Sequence, residues 1–430
     1  MSKAVQCLIM LAVVAICFVT EIIPLAVTAM AGATACGVLG FVPVKATYNG
    51  LANSTVVLFA AMFVLSTAMF KTGLAQKVGI SVVNAVGSGE NSLMIGVMGI
   101  TAALSAVCSN TGTAAALLPV VVGICETSGL SKKRQLMAMA FAAGSGGIIT
   151  LIGTPPNIIA SGALGTAGLK EFGFFEFAWI GIPLAVATIA YMVLIGKRFF
   201  PEGAADAGAS SDAAVDDEFA AEAKADDNDP KKQAIVGFMM LAVVAVMALN
   251  LKALPLHVAA TIGALLLVIL KVVKVNDAYT GIDWTTIFLF AGMMTVASAM
   301  DKTGAGKLIA DQVVGVLGGS PSPLFVTAVL FTLSCVLTQF MSNTASAALL
   351  CPIGISIANS IGADPHAVLM AIAVAASCAY ATPVGTPPNT LVLTPGNFAF
   401  MDYMKAGIPL IIVSFIVSLI IIPMVWPFFP

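Results

Sequence analysis

The triplet Ser-Asn-Thr occurs twice, each time between long apolar runs that offer no charge to pair with it. It stands at 109–111 in ALSAVCSNTGTAAALLPV and 233 positions later at 342–344 in VLTQFMSNTASAALLCP. A Ser or Thr stands four residues before the start of each triplet, and a proline stands ten residues after it. Side-chain oxygens suit a hard cation, and the N–H groups at a helix start suit an anion. The two triplets therefore indicate a site for a cation and an anion together.

Four side-chain oxygens are candidate ligands for a hard cation such as sodium: those of Ser105, Asn110, Thr338 and Asn343. Helices expected to begin after Thr111 and Thr344 would present partial positive charge and free N–H groups to an anion. The segments around the triplets contain no Lys or Arg. Helix dipoles and bound cations would then have to balance an anionic substrate, so we expect its binding to require an ion such as sodium.

Small polar residues in membrane helices have a simpler explanation, because they often hydrogen-bond to a neighbouring helix, worth about 1 kcal/mol. A single triplet would be explained in this way. Two triplets with the same neighbours, each followed by a GTPPN segment (153–157 and 385–389), favour a binding site.

The composition is that of a membrane protein built from helices. The chain has 430 residues, of which 9% are charged, against about 25% in soluble proteins. Its mean hydropathy is +1.03, and apolar runs near the length of a membrane span recur throughout. The first run, 4–18, is expected to be a retained helix and not a signal peptide. The eight cysteines lie in apolar segments and the two histidines near expected loops, so neither residue type indicates a metal or catalytic site.

An acidic segment, 202–232, divides the chain into two similar halves, 1–201 and 233–430. This segment is expected to be a solvated cytoplasmic linker. Several motifs recur across it with offsets between 226 and 233: MLAVVA (10–15 and 240–245), GTPPN, GIP (181–183 and 407–409) and FFP (199–201 and 428–430). The collinear order predicts an internal duplication.

Each half is predicted to contain five transmembrane helices and one re-entrant hairpin. The hairpins are expected at 91–125 and 323–360, with arms of about 15 residues that are too short to cross a bilayer core of about 30 Å. Helices interrupted by Gly and Pro are expected at 135–168 and 366–394, facing the hairpin tips. Five crossings per half would invert the second repeat relative to the first, as in many secondary transporters. A cytoplasmic linker with both termini outside places 13 Lys and Arg inside and 6 outside, which agrees with the positive-inside rule.

The segments SNTGTAAALLP, SNTASAALLCP, GTPPNII and ATPVGTPPNT resemble those of the divalent anion/sodium symporter family, and the resemblance covers essentially the whole chain. It implies a homodimer in which a transport domain slides against a scaffold domain, as an elevator. It also implies cotransport of sodium with a dicarboxylate, citrate or sulfate, of which we expect a C4-dicarboxylate such as succinate. One sodium site would comprise Ser105, Asn110 and the backbone near Ile149, and the other Thr338, Asn343 and Ala381. The implied substrate contacts are Asn110, Thr111, Asn343, Thr344, Thr382 and Pro383.

The same residues bear on competing functional classes. A channel would need a continuous polar pore, whereas the polar residues here concentrate at the two triplets. An intramembrane enzyme or a proton antiporter would need ionisable groups within its spans, and Asp, Glu and His are almost absent there. A sodium-independent anion exchanger, or a sulfate or citrate carrier of the same fold, is the competing hypothesis. The expected partners are the small anion, sodium, the lipid bilayer and a second copy of the chain, with no nucleic acid and no organic cofactor. The expected location is the bacterial inner membrane.

Overall fold

A computed structural model describes residues 1–86, 89–200, 228–249, 253–316 and 321–429, and every regular element in these ranges is a helix. The predicted linker lies outside the described residues as far as 227. Its last residues form the start of a helix, Pro230–Leu249.

The α-helices of the first half, within the described residues, are α1 (Lys3–Thr20), α2 (Leu25–Val38), α3 (Ser54–Lys71), α4 (Leu74–Val86), α5 (Glu90–Ser105), α6 (Asn110–Ser128), α7 (Lys132–Gly147), α8 (Pro155–Thr166) and α9 (Ala178–Leu194). Three short 3₁₀ helices, Val44–Ala46, Asn49–Ala52 and Gly196–Phe199, lie between or after them. Those of the second half are α10 (Pro230–Leu249), α11 (Leu256–Ile269), α12 (Val275–Thr280), α13 (Trp284–Thr303), α14 (Ala305–Val316), α15 (Pro323–Leu337), α16 (Asn343–Ser360), α17 (Pro365–Ala376), α18 (Pro387–Leu393) and α19 (Phe400–Val425). Apart from the short α12, the second set follows the first in order, so α5 and α6 correspond to α15 and α16.

Two helices, α4 and α14, stand where the apolar runs predicted no element. They connect the third long helix of each half to the hairpin. Their sequences, LAQKVGISVVNAV and AGKLIADQVVGV, mix polar and apolar residues at helical spacing, so a search for continuous apolar runs passes over them. Both pack against hairpin helices, α4 against α5 and α6, and α14 against α16.

Apart from α4 and α14, which contact both, the long helices form two packing groups. In the first group, α2 packs along α13, α3 along α11, and α1 and α10 lie against their neighbours. The second group comprises α5 to α9 and α15 to α19, in which helices of the two halves interleave: α8 packs on α16 and α17, and α18 on α6 and α7. The groups meet where α13 contacts α8 and α16. The candidate functional site lies beside this boundary.

Five of the described helices are long and apolar enough to cross a membrane: α1, α3, α6, α10 and α19. Five more are apolar but shorter: α2, α9, α11, α15 and α17. The second arm of the first hairpin, α6, has 19 residues and so is about 28 Å long, more than the predicted arm. The prediction that both hairpins are re-entrant and that the halves are inverted remains a prediction, because it concerns the bilayer.

Candidate functional site

The serine of each triplet is a helix cap. Ser109 Oγ accepts a hydrogen bond from the Gly112 N–H, and Ser342 Oγ accepts one from the Ala345 N–H, each at 3.1 Å. The helices α6 and α16 therefore begin at the asparagines. The predicted helix starts, after Thr111 and Thr344, were wrong because a serine before the first turn is a favourable N-cap acceptor.

The capped ends leave donors for a ligand. The N–H groups of Asn110, Thr111, Asn343 and Thr344 have no acceptor among the described residues. They lie at the positive ends of two helices of 19 and 18 residues. The two triplets together therefore offer four N–H groups and two helix dipoles, an arrangement that favours an anion.

Oxygens converge on the asparagine of the first triplet. Asn110 Oδ1 lies 2.6 Å from Ser105 Oγ, 3.3 Å from the Ala143 carbonyl oxygen and 3.0 Å from that of Gly153. Ser105 Oγ is itself 2.7 Å from the Ala143 oxygen. We call these four atoms the first oxygen cluster.

A second oxygen cluster repeats this geometry in the other half. Asn343 Oδ1 lies 2.7 Å from Thr338 Oγ1 and 3.1 Å from each of the Ala376 and Gly385 carbonyl oxygens. Thr338 Oγ1 is 2.6 Å from the Ala376 oxygen. Ser105 and Thr338 each reach a carbonyl 38 positions further along the chain, so corresponding atoms of the two halves form both clusters.

The clusters fit sodium by the chemistry of their atoms. In each, an amide oxygen faces oxygen atoms, and one hydroxyl proton is too few to neutralise the contacts. Turning the amide would place its NH₂ group there, donating to the same three atoms. In the orientation described, a hard cation among the oxygens relieves their repulsion, and all four atoms are of the ligand type that such cations prefer. Both oxygen clusters are therefore candidate cation sites.

The backbone expected to complete these sites, at Ile149 and Ala381, is not among the atoms that define the two oxygen clusters. The carbonyls in the clusters belong to Ala143, Gly153, Ala376 and Gly385. Ile149 donates its N–H to the Gly146 carbonyl at 3.0 Å, and Ala381 donates its N–H to Gln339 Oε1 at 2.9 Å. Ligation of sodium by Ile149 and Ala381 remains a prediction.

A cavity of about 560 Å³ joins the polar elements of the two halves. Both triplets line it, and so do the first three residues of each GTPPN segment, 153–155 and 385–387. The opposite wall is formed by the first helix group, including Phe59, Met62 and Ser66 of α3. The Ser109 N–H donates to Ser66 Oγ at 3.2 Å, so the first tip contacts that wall directly. The volume lies within the range of ordinary small-molecule sites.

The charged residues that line the cavity within the described part of the chain are acidic, Glu21 and Asp283. Asp283 Oδ1 caps α13 by accepting from the Thr286 N–H at 3.1 Å. Neither residue was predicted from the sequence, because both stand in short loops outside the repeated motifs. An anion in this cavity would meet helix N-termini and bound cations, and no lysine or arginine of the described chain lines it.

Two predicted substrate contacts, Thr382 and Pro383, are not part of the lining of this cavity. Thr382 Oγ1 donates to the Gln339 carbonyl at 2.7 Å, and Pro383 is buried, with its carbonyl accepting from Thr390 Oγ1 at 2.8 Å. Neither lines the cavity, whereas Thr154 and Thr386 do. Direct contact of Thr382 and Pro383 with a carboxylate remains a prediction. The four remaining predicted contacts, Asn110, Thr111, Asn343 and Thr344, do line the cavity.

The repeated GIP motifs support the broken helices. A Cβ on Gly181 would lie 2.6 Å from Ile149 Cα, and one on Gly407 would lie 2.1 Å from the Tyr380 carbonyl oxygen. Both neighbours belong to the non-helical segments between the arms, 148–154 and 377–386. The glycines therefore allow α9 and α19 to lie directly on these segments, a role that sequence analysis did not assign.

Comparison with known sequences identifies one matching family. The model of the citrate transporter family, CitMHS, matches residues 15–257 and 246–428. The chain is 25% identical to an uncharacterised transporter, YfbS, of Escherichia coli, over 99% of this chain and 100% of that protein. It is also 25% identical to the sodium-dependent dicarboxylate transporter SdcS of Staphylococcus saprophyticus, over 94% of this chain and 83% of that protein.

Solved structures with a similar fold are transport proteins. The YdaH transporter of Alcanivorax borkumensis matches with a TM-score of 0.63 and 14% identity, over 89% of this chain and 88% of that one. MtrF of Neisseria gonorrhoeae, described as one of a class of antimetabolite efflux pumps, matches with a TM-score of 0.63 and 12% identity, over 88% and 83%. At these identities the comparison supports the fold.

Proposed function

We propose a sodium-coupled transport function for this chain, which belongs to the citrate transporter family and, with it, to the divalent anion/sodium symporter family. The family membership expected from the SNT and GTPPN motifs is thereby confirmed. The chain is an integral membrane protein and a transporter rather than an enzyme. Its proposed activity is symport of sodium with a divalent anion, most simply a C4-dicarboxylate such as succinate.

The observation that carries this proposal is the convergence of hydroxyl and carbonyl oxygens on the side-chain amides of Asn110 and Asn343, at the N-termini of two helices that line one cavity. Asn110 and Asn343 each combine an Oδ1 in an oxygen cluster with a backbone N–H on the cavity side. A cation in the cluster and an anion at the helix start would then share one residue. The sodium dependence of the SdcS transporters, stated in their name, supports the same assignment.

Electrostatics make the two ligands dependent on each other. A dicarboxylate in the cavity meets about half a positive charge at each helix end, and the acidic residues Glu21 and Asp283 oppose it. A sodium ion about 5 Å away contributes roughly 3 kcal/mol at an effective dielectric of about 20, before desolvation is subtracted. Linkage then requires sodium to tighten substrate binding and substrate to tighten sodium binding by the same factor.

We also propose that the chain works as a homodimer in the bacterial inner membrane and transports its substrate by an elevator mechanism. The second helix group contains both hairpins and both broken helices, and would be the transport domain. The first helix group would be the scaffold. The contact between Ser66 and Ser109 would then be one that the moving domain breaks. The bacterial relatives support an inner-membrane location.

Citrate is the second candidate substrate, because the matching family model describes citrate transporters. The cavity volume does not separate citrate from succinate. Transport of sulfate, and sodium-independent exchange of an anion through the same site, are two further hypotheses that measurements of uptake distinguish.

Uptake into proteoliposomes tests the proposal. Purified protein is reconstituted, and uptake of radiolabelled succinate, citrate and sulfate is measured with an inward sodium gradient, with choline in place of sodium, and with internal unlabelled anion. We expect sodium-driven uptake of succinate that does not need internal anion. Uptake that depends on internal anion and is equal in sodium and choline would establish the exchanger instead.

Binding of substrate to the purified protein gives a second test. We expect the substrate affinity to rise at least about fivefold from choline buffer to ~100 mM sodium, as the electrostatic coupling requires. Trp284 stands between two cavity-lining residues, Asp283 and Thr285, so its fluorescence can report binding. Asn110→Ala and Asn343→Ala should each weaken both ligands, and wild-type affinities in these variants would refute the shared site.

A further inference from the structure

The last residue of each GTPPN segment is a fully buried asparagine outside the cavity lining. Asn157 and Asn389 are both 0% exposed. Each lies in the first turn of the second arm of a broken helix, after two prolines that have no N–H to donate. A buried amide must find hydrogen-bond partners, and these two find them in the non-helical segment that precedes them.

The two side chains make corresponding hydrogen bonds. Asn157 Nδ2 donates to the Thr150 carbonyl at 2.8 Å and lies 3.3 and 3.4 Å from the carbonyls of Ile148 and Gly147. Asn389 Nδ2 donates to the Thr382 and Ala379 carbonyls, each at 2.8 Å. In both halves one acceptor stands seven positions before the asparagine and another stands ten positions before it. Each amide therefore ties the second arm of its broken helix back to the non-helical segment that precedes it.

The segments held in this way carry the oxygen clusters. Gly153 and Gly385, which contribute one carbonyl to each cluster, stand between the acceptors and the asparagine. Gly147 lies so close to the first cluster that a Cβ there would be 2.4 Å from Asn110 Oδ1. By hydrogen-bonding to the segment, each asparagine fixes the position of the Gly153 or Gly385 carbonyl within its oxygen cluster.

The donor is the part of each amide that makes these contacts. The Oδ1 atoms of Asn157 and Asn389 have no hydrogen-bond partner among the described residues. If the asparagines served only to fill space, an apolar side chain of similar size would avoid burying an unpaired oxygen. The role that these contacts support is therefore donation of hydrogen bonds by Nδ2 to the segment carbonyls.

We infer that Asn157 and Asn389 are positioning residues, which set the sodium affinity of the first and second oxygen clusters by holding the carbonyls of 148–154 and 377–386. This inference rests on the proposed function, because it assigns sodium to the clusters. Residues that orient metal ligands without touching the metal typically change metal affinity by about 10- to 100-fold when they are substituted.

The test uses full-length protein in proteoliposomes and in detergent. Asn157→Leu and Asn389→Leu keep a side chain of similar size but remove the NH₂ donor without adding charge. Asn157→Ala and Asn389→Ala serve if the Leu variants fail to fold. We expect the sodium concentration for half-maximal uptake, at saturating substrate, to rise about tenfold in each single variant. The increase in melting temperature caused by sodium should shrink in parallel.

Asn359→Leu is the matched control, because Asn359 is an exposed asparagine near the end of α16. It should leave the sodium half-saturation unchanged. Folded Asn157 and Asn389 variants with lower maximal uptake but wild-type sodium half-saturation would overturn the inference, since a purely structural role predicts that result. A wild-type protein without sodium dependence would remove the proposed function, and this inference with it.

Discussion

Adding one methyl group at Gly407 or Gly181 should damage the cation sites from outside the cavity. Alanine at Gly407 would place its Cβ 2.1 Å from the Tyr380 carbonyl oxygen and 2.4 Å from the carbonyl carbon. Alanine at Gly181 would place it 2.6 Å from Ile149 Cα. All three contacts are with backbone, which cannot rotate away as a side chain can. The helix or the non-helical segment must therefore move by close to 1 Å to reach van der Waals distance.

Two opposing energies set the expected size of this effect. Replacing glycine by alanine inside a helix favours the folded state by up to about 1 kcal/mol. Overpacking typically costs about 1–3 kcal/mol, and contacts with backbone belong at the upper end of that range. We therefore expect a net loss of stability of about 1–2 kcal/mol for Gly407→Ala and a smaller loss for Gly181→Ala.

The assay is thermal unfolding in detergent, with and without sodium, together with sodium-dependent uptake. Gly99→Ala is the matched control, because Gly99 lies inside α5 and a Cβ there would meet no atom within 4 Å. This variant should be as stable as the wild type or more so. If Gly407→Ala matched Gly99→Ala in stability and in sodium half-saturation, the argument that α19 sets the position of the segment 377–386 would be refuted.

Three further substitutions test separate contacts. Thr338→Ala removes the hydroxyl of the second oxygen cluster and should raise the sodium concentration for half-maximal uptake about tenfold. Thr338→Ser keeps a hydroxyl and should give the wild-type sodium half-saturation. The same half-saturation in both variants would exclude ligation by the hydroxyl. Glu90→Ala removes the carboxylate 2.8 Å from Arg134 Nη1 and should lower the free energy of unfolding by about 2 kcal/mol. The Glu90→Ala/Arg134→Ala double variant should lose less stability than the sum of the two single variants, as a double-mutant cycle in thermal unfolding can measure. Ser66→Ala removes the acceptor of the hydrogen bond from the Ser109 N–H, a bond worth about 1 kcal/mol. This variant should change the maximal uptake rate without changing the sodium half-saturation. A shifted half-saturation would place Ser66 in the ion site itself.

Much of the helical layout follows from local sequence. Long apolar runs predicted the membrane helices, and glycine and proline predicted that the helices at 135–168 and 366–394 are interrupted. The missed helices, α4 and α14, are amphipathic and lie between runs. The helix starts at the triplets were placed two residues late because polar residues in a row look like a loop. In fact the serine alone is outside the helix and caps it.

The sequence by itself determined which side chains are paired between the halves, because the motifs and their spacing repeat. It also determined that no basic residue accompanies the triplets. Tertiary structure alone decided which carbonyls join the oxygen clusters, since Ser105 and Ala143 are 38 positions apart. It likewise brought Glu21 and Asp283 to the opposite wall of the cavity. Caps and hydrophobic periods depend on neighbours within one or two helical turns, whereas a binding site depends on how separate helices pack.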